Sequence, residues 1–349
     1  MDLLTYHQVL ELLPPTKHLL LGNGFSISCD PAFRYDSLYE FAREHGLSRR
    51  AQAVFEKIGT SNFEGVLRAL GDTEWIAATY GLAAGSANGG PSIAEDIESV
   101  KNALVAAVAQ RHLERPSDVD EAKRAAAVEF LSPYHNVFTT NYDLLLYWIT
   151  MQGNDEHADL ARRDGFRADP EDPEAPHLLF QEHVGGDRGF FFVHGALHLY
   201  VHHGQVRKHS WIRSGIALVD LIREALDKYQ YPLFVAEGDA HTKLEQIQRS
   251  GYLSYGLGKL ERIQKALVTF GLAFGESDAH IAHVIADNPK LEHVYIGLFD
   301  GPDSPAGQAV LAAADRIDRR RRANRTPRGD QYPGLAIQFY DAKSARPWG

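Results

Sequence analysis

The sequence predicts an α/β fold built on one doubly wound, mostly parallel six-stranded sheet with helical insertions. Three observations carry this. Six short runs rich in β-branched and aromatic residues are nearly continuous in apolar character, as strands covered on both faces are. Several are separated by segments with helical periodicity, which is the alternation of a doubly wound sheet. Four of the runs end in glycine or short polar residues, the ends at which such sheets hold ligands. Together these describe a Rossmann-like core.

In order, the strand candidates are HLLLGNG (18–24), HNVFTTN (135–141), GFFFVHG (189–195), ALVTFGLAFG (266–275), HVYIGLF (293–299) and LAIQFYDA (335–342). Helical patterns include RYDSLYEFAREHG, EDIESVKNALVAAVAQRHL and DAHIAHVIADN. The whole chain reads as one domain, with its core at 15–40, 130–200 and 265–349. Two mainly helical insertions, about 41–129 and 202–264, interrupt it. A flexible break is expected at GLAAGSANGGPS (81–92), where Gly and Ser oppose regular structure. The second insertion should open with a hairpin turn at His203-Gly204 and continue into the helix VDLIREALDKY. The Pro-rich stretch 164–177 reads as a polar loop, and the basic run RIDRRRRANR (316–325) as a solvated helix end.

Composition narrows the function classes. The 349 residues are 44% hydrophobic and 23% charged, with no run of the roughly 20 apolar residues a bilayer-spanning helix needs. The N-terminus lacks the pattern of a secretory signal, so a cytoplasmic protein is expected. The single Cys29 excludes an internal disulfide and any zinc site made of paired Cys-x-x-Cys elements. A formal net charge of −10 makes nucleic acid an unlikely partner for this chain alone.

Four strand ends carry the chemistry. Gly22-Asn23-Gly24 ends the first strand, with Ser26 and Ser28 following. Glycines there allow a sharp turn and backbone N–H groups against a phosphate, although a plain strand-to-loop turn needs the same residues. Ser26 and Ser28 could equally be helix N-caps. Thr140, Asn141 and Asp143 leave the second strand, where an Asx-turn is the simpler alternative. His194 ends a strongly apolar strand, with Gly195 expected to leave space beside the imidazole; it is either a satisfied core histidine or a general base. Gly271, Gly275, Ser277 and Asp278 follow the fourth strand, Asp278 fitting a helix N-cap.

The succession GNGFSISCDPAFR, TTNYD, VHG and GLAFGESD resembles the sirtuin pattern over about half the chain. Sirtuins carry a Gly-Ala-Gly-x-Ser loop leading to Pro-Asp-Phe-Arg, then Thr-Gln-Asn-x-Asp, then His-Gly. Here Asn23 replaces the Ala, Thr140 replaces the Gln, and the four-cysteine zinc module is missing. The chain is therefore similar to the sirtuin-like branch of bacterial anti-phage defence, whose members hydrolyse NAD. NFEGVLRAL, PLFVAEG with Lys243 downstream, and SGYLSYGL further resemble an uncharacterised bacterial family of that branch. The resemblance implies NAD as substrate, no metal, and Gly22, Asn23, Gly24 and Ser26 at the pyrophosphate. It implies Phe33 and Arg34 as a cover and Asn141 as the residue that orients water. Asp143 would recognise the carboxamide, Thr140 would also bind the cofactor, and His194 would be the base. Gly271 and Ser277 would line the adenosine side, with Phe299 and Asp341 near it. Unchecked NAD cleavage would poison the host, so the resemblance further implies control by self-assembly into a homo-oligomer or by a separately encoded regulatory protein. Two alternatives are a non-catalytic nucleotide sensor and an ADP-ribosyltransferase.

Overall fold

A computed structural model describes residues 2–82, 92–182, 188–236, 239–325 and 333–349. The break expected at 81–92 lies, except for its ends, outside the described residues. Ten strands are present among them: β1 (Lys17–Leu21), β2 (Asn136–Thr139), β3 (Phe166–Ala168), β4 (His177–Phe180), β5 (Gly189–Phe192), β6 (Leu199–His202), β7 (Gln205–His209), β8 (Lys265–Phe270), β9 (Leu291–Leu298) and β10 (Ala336–Asp341).

All six runs read from the sequence fall into one sheet, in the order β10-β9-β8-β1-β2-β5, and every pairing in it is parallel. Counting only these six in chain order, the arrangement is 3-2-1-4-5-6, that of dinucleotide-binding α/β folds. β1 lies at the centre, with Leu19 opposite both Val137 and Val268, and Leu19, Leu20 and Leu21 have no exposed surface. This is why the run reads as uninterrupted apolar sequence: both of its faces are covered.

The chain leaves β1 and β8 in opposite directions, and the two exits touch. Gly22 N–H donates to the Phe270 carbonyl (2.9 Å) and Gly24 N–H to the Gly271 carbonyl (3.0 Å). A Cβ on Gly24 would lie 2.5 Å from the Gly271 Cα, and one on Gly271, where φ is +68°, 2.6 Å from the Gly24 Cα. The glycines therefore let two backbones cross. The helix Asn23–Cys29 starts directly at the end of β1, with Gly22 as its N-cap. Ser26 and Ser28 lie inside this helix and do not cap it.

The first insertion is helical as expected, with helices at Arg49–Ile58, Phe63–Thr79 and Ile93–Arg111. The second departs from the reading. β6 and β7 form the hairpin turning at His203-Gly204, but β3, from the stretch read as a polar loop, and β4, which begins at its last residue, join it in a second, antiparallel sheet of order β3-β4-β7-β6. A strand of three residues is too short to show a period, and Phe166 earns its place by packing on Tyr252, with ring centroids 5.1 Å apart. The basic run also differs from a purely solvated helix end. It belongs to the helix Pro305–Arg325, and Arg321 is buried, donating to the carbonyls of Pro333, Ala286, Asn288 and Leu291. No helix among the described residues is long and apolar enough to cross a membrane.

The glycine crossing can be separated from simple left-handed strain. Gly59 has φ +73° with nothing within 4 Å of a Cβ, so Gly59→Ala should cost only about 1 kcal/mol. Gly271→Ala meets both the strain and the Gly24 backbone and should cost at least ~3 kcal/mol in urea unfolding. Equal losses at the two positions would show that the crossing is not tight.

Candidate functional site

The carboxyl ends of β1, β2, β5 and β8 open into a cleft of about 180 Å³ that is continuous with solvent. It lies at the point where the strand order reverses. Of the residues singled out in the sequence, Asn23, Phe33, Thr140, Asn141, Asp143, His194, Gly271, Gly275, Ser277 and Asp278 line it. The first insertion adds Asn62, Glu64, Leu104 and Val108.

Hydrogen bonding fixes the orientation of Asn141. The Ser26 hydroxyl is 2.5 Å from Asp143 Oδ2, and Asn141 Nδ2 is 2.8 Å from the Ser26 oxygen. A carboxylate can only accept, so Ser26 gives its proton to Asp143 and must accept from the Asn141 amide. The Asn141 carbonyl oxygen is thereby left as the end of the side chain able to meet a ligand. Asp143 Oδ1 accepts from Leu145 N–H (2.9 Å), so the Asx-turn alternative describes part of this loop. On the opposite side His112 accepts from Leu144 N–H through Nε2 (3.0 Å), while its Nδ1 lies 2.8 Å from the Leu113 carbonyl. A neutral imidazole donating from Nδ1 satisfies both, and burial lowers its pKa in keeping with that.

His194 follows β5 and is almost fully buried, its Nε2 2.9 Å from Nε2 of His280. Burial holds the pKa of His194 well below the ordinary histidine value, with Lys243 and His280 pushing the same way. Burial, aided by Lys243, brings His280 down to about 4. Both rings are neutral at pH 7.

Beside them is a cluster drawn from three parts of the chain. Lys243, with no exposed surface, donates to Glu64 Oε2 (2.8 Å) and Asp278 Oδ1 (3.3 Å). Ser277 Oγ (3.1 Å) also donates to Glu64, and the single proton of the Tyr142 hydroxyl lies between the Val235 carbonyl (3.0 Å) and Glu64 (3.3 Å). Burial opposes the charge on Lys243, but Glu64 and Asp278 outweigh it and its pKa lies above the usual lysine value. Burial first, then Glu64 and Asp278, raises the Tyr35 hydroxyl well above its usual value, so it stays protonated. Asn62 caps the helix Phe63–Thr79 through Glu64 and Gly65 N–H, which sets Glu64 in its first turn. His194, Asp278 and His280 bring three ligand atoms within 4.8 Å of one another, the donor set of a divalent metal. The Lys243 ammonium on Asp278 opposes a second cation at that point.

Several expectations are corrected. Gly22, Gly24, Ser26 and Arg34 do not line the cleft. Ser26 is buried against Asn141 and Asp143, the glycines cross Gly271, and Arg34 is exposed while Tyr35 takes the lining position. Gly195, at φ +87°, leaves no space beside His194: a Cβ there would meet the Leu233 carbonyl oxygen at 2.1 Å. Asp278 makes no capping bond and turns to Lys243 instead. Phe299 lies under Lys343 and Asp341 caps a turn, neither in the cleft. Cys29 is buried, which pushes its thiol up to about 12 and removes it as a nucleophile.

Glu64, Lys243 and His280 were missed as functional residues. Lys243 did leave a signal. It shares the buried face of the helix Ala240–Arg249 with Ile247, where an apolar residue is expected.

Residues 19–348 match the family described as "Domain of unknown function (DUF4917)", and the chain belongs to that family. Comparison with curated proteins gives no match.

Removing the ammonium should expose how much the cluster matters. Lys243→Met leaves Glu64 and Asp278 facing each other with no cation, and a loss of about 3–5 kcal/mol is expected in urea unfolding. Adding Glu64→Gln should recover part of it. An unchanged midpoint for the single variant would contradict a cluster held by charge.

Proposed function

We propose that this member of the DUF4917 family is an NAD hydrolase that cleaves the nicotinamide–ribose bond to give nicotinamide and ADP-ribose. The observation that carries the reading is that Asn141 and His194, brought by different strands, line one cleft at the switch point of a 3-2-1-4-5-6 sheet. Dinucleotides bind at that point in such folds. The likeness of the strand ends to sirtuin motifs supports the choice of NAD.

The chemistry asks little of the protein. Nicotinamide leaves with the electron pair of the C–N bond as a neutral base, so no general acid is needed. The ribose passes through an oxocarbenium-like state. Glu64, Asp143 and Asp278 line the cleft, and Lys243 is paired with two of them, a balance that favours developing positive charge. The Asn141 carbonyl oxygen orients water against the ribose carbon, and His194 takes its proton. Asn23, at the start of a helix, brings the positive end of the peptide dipoles toward the pyrophosphate. Gly24 N–H is already engaged by Gly271, so the phosphate contacts fall to its neighbours.

The same reading makes the chain a regulated effector of anti-phage defence that depletes NAD in the cytoplasm. Its activity would be controlled by self-assembly or a separately encoded partner docking on the insertions.

The test is nicotinamide release from NAD by protein co-expressed with its neighbouring genes. Asn141→Ala and His194→Ala should each lose at least ~100-fold in rate while keeping the parent melting temperature. Variants that cleave NAD as fast as the parent would overturn the proposal. Tight NAD binding without nicotinamide release by the parent would indicate a nucleotide sensor instead.

A further inference from the structure

Glu64, Asp143 and Asp278 line the cleft, and their hydrogen bonds leave them unequal capacity for a ligand. Asp143 is engaged at both oxygens, Oδ2 by the Ser26 hydroxyl and Oδ1 by Leu145 N–H. Asp278 gives Oδ1 to Lys243, and its carboxylate lies within 4.8 Å of His194 and His280, beside the imidazoles. Glu64 spends Oε2 on two donors, the Lys243 ammonium (2.8 Å) and Ser277 Oγ (3.1 Å). Among the described residues, its Oε1 meets one donor, the Tyr142 hydroxyl at 3.3 Å, which is closer to the Val235 carbonyl at 3.0 Å. A carboxylate oxygen has two lone pairs, so Oε1 keeps at least one for a ligand. Glu64 is also held in place, by the Asn62 cap at its helix start and by the buried Lys243 on Oε2. Carboxylates hold ribose hydroxyls in dinucleotide-binding folds. Asp143, the acid on the strand-end loop, is saturated, so that task falls to Glu64 from the first insertion.

We infer that Glu64 is a substrate-binding residue whose Oε1 accepts a hydrogen bond from a ribose hydroxyl in the cleft. The choice of ribose rests on the proposed NAD hydrolysis. Lys243 bonds both Glu64 and the Asp278 that stands beside His194, which puts Glu64 at the nicotinamide ribose and its 2′-hydroxyl. Glu64 forms and breaks no covalent bond. A hydrogen bond to the 2-hydroxyl strengthens as the neighbouring carbon becomes cationic, as it does in glycoside cleavage. The first insertion thereby supplies selectivity for an intact ribose that the strand-end residues do not provide.

The experiment compares NAD with two analogues, one lacking the 2′-hydroxyl of the nicotinamide ribose and one lacking that of the adenosine ribose. Affinities are measured by calorimetric titration of full-length His194→Ala protein, with and without Glu64→Gln. Lys243 and Ser277 both donate to the Oε2 place, so the glutamine turns its oxygen there and its NH2 replaces the free acceptor. His194→Ala protein should bind NAD about 10–100-fold more tightly than the nicotinamide-side analogue, the range of a hydrogen bond to a charged group. Adding Glu64→Gln should shrink that ratio below about 3-fold, whereas Asp278→Asn, which leaves Glu64 its ammonium, should keep it. Each ratio is taken within one protein, so a partly unfolded fraction cancels. A ratio that survives Glu64→Gln, or that arises only with the adenosine-side analogue, would overturn the inference while nicotinamide release by the parent stands. A ratio lost in Glu64→Gln with no nicotinamide released by the parent keeps the ribose contact and overturns the hydrolysis. Failure of NAD to bind at all would overturn both.

Discussion

A single ammonium group joins the parts of this protein that the chain keeps far apart. Lys243 comes from the second insertion, Glu64 from the first, and Asp278 from the loop that leaves β8. An ionised group with no exposed surface survives only where opposite charges and hydrogen bonds replace water. That requirement holds the insertions in register with the sheet, because the carboxylates lose their counter-charge if either insertion moves away. The cleft is a consequence: its floor is the sheet's strand ends, and one of its walls is the helix that Glu64 begins. Ser277, on a sheet loop, donates to the same carboxylate, and the Tyr142 hydroxyl bridges Glu64 and the Val235 carbonyl of the second insertion, tightening the join.

Polar groups in the cleft are ordered by what each neighbour cannot do. Asp143 cannot donate, so Ser26 must, and the Asn141 amide is turned to present its oxygen outward. Burial and Lys243 keep His194 and His280 neutral. The acceptor amide and the imidazole follow neighbouring parallel strands, each two residues beyond the paired Thr139 and Phe192. In the proposed hydrolysis these two groups would place water and take its proton beside a cationic carbon, with no strong acid.

The sheet was legible in the sequence because its strands are covered on both faces, which forces unbroken apolar runs at Leu19–Leu21, Phe190–Phe192 and Ala266–Phe270. Asn141 and His194 stand out against apolar runs, and that they line one cleft follows from the adjacency of their strands. What could not be read was contact between distant segments. Gly22 and Gly24 look alike whether they approach a phosphate or, as here, another glycine in Gly271. Asp278 looks like a helix cap until Lys243 is beside it. His280 sits in an ordinary helical pattern, and only the fold sets it against His194. The second sheet was hidden because β3 and β4 are too short to display a period and are flanked by prolines.

The central claim is that the cleft between the ends of β1 and β8 holds NAD with its nicotinamide ribose toward His194. The most direct measurement is a crystal structure of the His194→Ala protein soaked with NAD. The account predicts density for the nicotinamide ribose within hydrogen-bond distance of Asn141 Oδ1, with the pyrophosphate at Asn23. An empty cleft at saturating NAD, or a dinucleotide lying with its adenine against position 194, would contradict it.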